Sequence, residues 1–92
     1  MITITEATRR ALNNIEPGTE FHGRDLYKEV IRNMRMGGNM GKPYVDTVLR
    51  MARNRRISGI REIVCVDHHK SRYKKLSHRE TLTLALNKAT KA

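Results

Sequence analysis

The chain has 92 residues and a mass of 10.7 kDa, room for one small domain, which excludes a substrate cleft walled by several layers of secondary structure. Hydrophobic residues make up 38%, with no Trp, one Phe and three Tyr, so aliphatic side chains carry the core. Nineteen Lys and Arg against nine Asp and Glu give +10, divided as +1 over residues 1–36, +7 over 37–76 and +2 over 77–92, and a field so concentrated suits a polyanion, nucleic acid before an anionic membrane.

Met1-Ile2-Thr3-Ile4-Thr5-Glu6 has neither the basic start nor the apolar stretch of a secretory signal. Ile4, Thr8, Ala11, Leu12 and Ile15 then fall at helical spacing, and Glu16-Pro17-Gly18 stops that helix. Thr19 to His22 reads as short and extended, with Phe21 inward. A second helix places Leu26, Tyr27, Val30, Ile31 and Met34 on one face and Lys28, Arg32 and Arg35 on the opposite one. Gly37 to Lys42 is a loop by composition, and Pro43 suits the first turn of a third helix.

In that helix Val45, Val48, Leu49 and Ala52 point inward. The outward arc holds Thr47, Arg50 and Asn54, flanked by Asp46, Met51 and Arg53. Arg55 to Gly59 ends the helix. Ile60 to Asp67 is β-branched and reads as a strand; its Ile63-Val64-Cys65-Val66 is the longest apolar run, too short to cross a bilayer. His68-His69-Lys70-Ser71 is a polar turn, and Arg72 to Leu76 a return strand with Tyr73 packing beneath it. The lone Cys65 cannot form an internal disulfide, so a cytoplasmic location is expected. Ser77-His78-Arg79-Glu80 matches a capping box, and Leu82, Ala85, Leu86 and Ala89 share a helical face. Leu82, Leu84 and Leu86 also alternate as a strand would; the cap and the Ala-Leu-Asn-Lys-Ala run favour helix.

Helix, short strand, helix, loop, helix and two-stranded hairpin, over residues 4–76, resembles the winged helix-turn-helix superfamily. The fold expected is therefore α+β: a three-helix core, a two-stranded β wing and an additional C-terminal helix. Residues 1–76 would be the DNA-binding domain and 77–92 a dimerisation element. The Gly-rich loop at 37–42 departs from the pattern in its length. The resemblance implies binding of double-stranded DNA, with the third helix in the major groove and the hairpin on phosphates or an adjacent groove.

The residues permit that reading by themselves. Arg can bond guanine through two N–H groups, Asn can bond adenine, and a threonine methyl can meet thymine. Thr47, Arg50 and Asn54, with Asp46 and Arg53 beside them, are the candidates for reading bases. Lys42, Tyr44, His68, His69, Lys70, Ser71, Arg72, Lys74 and Lys75 are the candidates for phosphate, where charge suffices. Unpaired N–H groups near Lys42 and Pro43 suit a phosphate as well. The bland alternative for all of them is a solvated polar face.

Other constellations carry less. Cys65, Asp67, His68 and His69 lack the second ligand pair that zinc requires, and Cys65 reads better as a small hydrophobe. Tyr73 after His69-Lys70-Ser71-Arg72 is unlike the tyrosine recombinases, whose basic groups converge from distant parts of a larger chain. Gly41-Lys42 lacks the first glycine and the Ser or Thr of a P-loop. Nine scattered acidic residues offer no carboxylate pair. His68 and His69 read better as two polar turn residues than as a pH-sensitive pair.

The expectation is a non-enzymatic, sequence-specific DNA-binding regulator, repressor-like, without cofactor, small-molecule ligand or membrane. It would be nucleoid-associated when bound, and dimeric through residues 77–92 with Leu84 at the contact. The alternatives are a winged-helix module for RNA or an acidic protein, and a nonspecific DNA-coating protein.

Overall fold

The computed structural model of the protein describes residues 1–57 and 59–90, with side chains as far as Asn87. Among them the order is α1 (Ile4–Asn13), β1 (Glu20–His22), α2 (Gly23–Met36), α3 (Val45–Asn54), β2 (Arg56–Ile57), β3 (Ile60–Arg61), β4 (Ile63–Asp67), β5 (Arg72–Lys75) and α4 (His78–Thr90). This is a helix-turn-helix with a wing and an extra helix, the α+β layout that the sequence leads one to expect, and winged-helix-like in its general architecture.

Thr3 starts α1 by accepting the Glu6 amide on its hydroxyl at 3.1 Å, which satisfies one of the N–H groups that a helix start leaves unpaired. The stripe Ala7, Thr8, Ala11 and Leu12 is buried. It packs with Leu26, Val30 and Met34 of α2 and with Val48 and Ala52 of α3 in one core, which Ile2, Ile63 and Tyr73 close.

An antiparallel sheet runs in the order β1-β5-β4, so β1 adds a third strand to the wing hairpin. Phe21 pairs with Tyr73 in register, and their rings stack at 5.9 Å. The single strand expected from Ile60 to Asp67 is instead divided at Glu62. The Glu62 amide donates to Arg55 O at 3.2 Å, its carbonyl accepts the Leu76 amide at 3.0 Å, and its carboxylate turns inward to Arg55 Nε at 3.1 Å. One residue thereby serves two sheets, and the strand breaks there. β3 pairs with β2, so Arg56 and Ile57, read only as the end of the third helix, form a second hairpin with the first two residues of the expected strand; Ser58 lies outside the described residues.

Five side chains are placed differently from expectation. Pro43 precedes the N-cap Tyr44 instead of entering the helix, because its carbonyl accepts the Tyr27 hydroxyl at 2.8 Å and Tyr44 is extended. Val45 is 44% exposed, since an open cleft separates this end of α3 from the α2 start and the wing turn. Cys65 is exposed on the edge strand β4. Leu82 and Leu86 are 53% and 63% exposed, and half-buried Thr81 and Ala85 face the domain. The reason is that α4 packs on β3, whose two residues cover only a narrow line of the helix. Its capping box forms as expected: the Glu80 amide donates to Ser77 Oγ and the Ser77 amide to Glu80 Oε1, both at 3.2 Å.

Candidate nucleic-acid interface

Burial of Val48 and Ala52 fixes which arc of α3 faces out. Thr47, Arg50 and Asn54 line one groove of about 340 Å³ together with Thr5 of α1, Met51 and Arg55. Arg50 and Asn54 are exposed and Thr47 is half-buried. Among the described residues, neither the Arg50 nor the Asn54 side chain has a hydrogen-bond or ion-pair partner. Buried Thr8 sets the floor: its hydroxyl donates to Ile4 O at 2.8 Å and lies 3.8 Å from Met51 Sδ. Asp46 is exposed in the first turn, and Arg53 is half-buried on the flank. The strip offers a guanidinium fork, a carboxamide that both donates and accepts, and hydroxyl groups.

The loop before α3 is longer than a tight turn, yet it is tied down. Asn39 donates from its amide side chain to Ile2 O at 3.0 Å and from its backbone to Met34 O at 2.8 Å, and its side-chain oxygen accepts the Gly41 amide at 2.8 Å. Lys42 and Tyr44 stand exposed on that loop.

On the wing, the turn closes through the Lys70 amide to Asp67 Oδ1 at 3.2 Å and the Ser71 amide to His68 O at 3.3 Å. His68, His69 and Lys70 are exposed at the tip, and Ser71 is half-buried. The strand cations are occupied within the fold. Arg72 Nε lies 3.0 Å from Glu20 Oε1, and Lys74 Nζ donates to Glu80 Oε2 at 3.2 Å. Lys75 Nζ donates to Leu12 O and Ile15 O at 2.8 and 2.9 Å, closing the carbonyl end of α1. Among the described residues, Lys70 at the tip is the wing cation whose side chain has no hydrogen-bond or ion-pair partner within the fold.

Two cations that sequence reasoning missed stand on the second hairpin. Arg56 and Arg61 are register partners of β2 and β3, and both are exposed. Side chains directly opposite across a strand pair share a face, where like charges repel, so this hairpin carries a doubled positive charge just beyond α3. Strands of two residues leave no periodic trace in a sequence; only the glycine after Ser58, at φ 81°, marks the turn. Thr5 was missed too, because no local pattern links α1 to an arc of α3.

The perturbed carboxyls are structural. Glu6 is pulled down to about 2 by its bond to the Arg9 side chain, with Arg10 adding to it, and the Arg9 guanidinium is raised in return. Glu80 is lowered by the Ser77 amide first and then by Lys74. Among the described residues, no three of His, Cys, Asp or Glu come together to hold a metal ion, and no helix is long and apolar enough to cross a membrane. No protein-family model, curated protein or solved structure matches the chain; its likeness to winged helices is one of element order and general layout.

Proposed function

We propose that the protein is a small regulator that binds double-stranded DNA sequence-specifically, with α3 in the major groove. The observation that carries this reading is the single groove that brings Thr47, Arg50 and Asn54 together beside Thr5, open to solvent, on a chain of charge +10. Arg50 and Asn54 read base edges. Asp46 and Arg53 border them. Phosphates are held by Lys42 and Tyr44 before α3, by His68, His69, Lys70 and Ser71 at the wing tip, and by Arg56 and Arg61 on the second hairpin. Arg72, Lys74 and Lys75 act at one remove, by building the sheet that presents the tip. One short helix reads few base pairs, so a second copy paired through residues 77–92, with exposed Leu84 near the contact, doubles the site.

Selection of bound duplexes from a random pool tests this, followed by salt titration. The expected outcome is one enriched motif, with a log–log salt slope on the order of −4 to −7 per subunit. Arg50→Ala costs roughly 1–3 kcal/mol on that motif and much less on random DNA. Binding without a motif would leave a coating protein, and tighter binding to RNA of matching sequence would leave the RNA module.

A further inference from the structure

The face of α2 that carries Lys28, Arg32 and Arg35 has no part in the reading above, and it borders a groove of about 400 Å³ between α2 and the following loop. Tyr27, Ile31 and Met36 make the groove's apolar surface, while Lys28, Arg32, Arg35 and Lys42 supply its charge. Arg32 pairs with Glu29 at 2.8 Å. Among the described residues, Lys28, Arg35 and Lys42 have no ion-pair partner. The wall is built, since the Tyr27 hydroxyl holds Pro43 O and the Asn39 contacts hold the loop. Met36 is exposed on the groove's surface at the end of α2, and Met40 on the following loop is exposed too. This groove shares no lining residue with the α1–α3 groove.

We propose that the α2 groove is a docking site for an acidic, amphipathic segment of a partner protein. Phosphate chains need charge alone, whereas an apolar strip edged by Lys28 and Arg35, which have no ion-pair partner among the described residues, matches a segment that alternates Asp or Glu with Leu, Ile or Phe. Exposed methionines adapt to such side chains, and the carboxylates meet uncompensated cations. A protein that holds DNA on α3 could then hold a second protein on α2, which is how a regulator recruits or blocks another factor.

The test is selection from a random peptide library displayed on phage, against the full-length chain, with elution by salt. The expected result is enrichment of peptides rich in both acidic and large apolar residues. Their affinity falls about tenfold or more on the double variant Arg35→Gln, Met36→Ser, while duplex affinity stays within about twofold of wild type. Lys28→Gln, an exposed single change on the same rim, repeats the measurement if the double variant does not fold. Peptides enriched for charge alone, or binding that both variants leave intact, overturn the proposal. So does a loss of duplex affinity in these variants as large as that of Arg50→Ala, which would make the groove a nucleic-acid surface. The peptide arm reads the same whether or not the wild-type chain binds a duplex, so failure of the DNA reading is seen separately.

Discussion

Lys75 and Lys70 differ in sequence only by five positions, yet the fold gives them different work. The Lys75 ammonium spans from β5 to the end of α1 and donates to two carbonyls, whereas Lys70 stands exposed at the wing tip. Hydrogen bonds from a charged donor are worth about 1.5–3 kcal/mol. Lys75→Met is therefore expected to lower unfolding free energy in urea by roughly 1–3 kcal/mol. Lys70→Ala is expected to stay within about 0.5 kcal/mol of wild type and to weaken duplex binding on every sequence alike. An unchanged urea midpoint for Lys75→Met would return that ammonium to the phosphate set. Composition placed both lysines in one basic stretch; only the sheet register and the position of α1 separate them.

At the scale of elements, the second hairpin and the start of α1 each carry a measurable consequence. Arg56 and Arg61 face one another, so each removed by substitution with Ala should reduce the magnitude of the duplex salt slope by about 1. Slopes equal to wild type would take β2 and β3 out of the interface. In α1, Glu6 accepts from Arg9 and Arg10, which holds its carboxyl at about 2 against an ordinary 4.5. A carboxyl lowered in the folded state stabilises the fold above its unfolded value, and that contribution is lost as pH falls through the folded one. The stability difference between wild type and Glu6→Gln should thus be constant above about pH 5 and shrink between pH 4.5 and 2. Urea titrations across that range would measure it, and a difference independent of pH would show that the ion pair does not form. The elements themselves were legible: α1 from its stripe and Thr3, α4 from its capping box, the wing from its β-branched run. The β2–β3 hairpin was not, since two-residue strands are stabilised by the Glu62 contacts and not by any pattern of their own.

The whole molecule measures 45 × 29 × 20 Å, with a radius of gyration of 13.9 Å. A compact chain of this length would have about 12 Å, so the shape is elongated. Leu82, Leu84 and Leu86 are exposed along α4, on either side of the line that meets β3. Sedimentation equilibrium is expected to show a dimer for the full chain and a monomer for Leu84→Glu, with far-ultraviolet circular dichroism unchanged. A dimer that survives the substitution moves the contact elsewhere, and a wild-type monomer at high micromolar concentration removes it.

Helical periodicity, a capping box and segmental charge are local properties, and each could be read from the order of residues because it depends on neighbours within a turn or two. Those were enough for the three-helix core, the wing and the arc of Thr47, Arg50 and Asn54. What lay beyond them depends on contacts between distant segments. Glu62 breaks a strand because Arg55 and Leu76 both reach it, Thr5 joins α3 because α1 crosses it, and Lys75 leaves the basic stretch because α1 ends above β5. The leucines of α4 are exposed for the same kind of reason: their spacing prescribes an apolar face, but only the width of β3 decides how much of that face the domain covers.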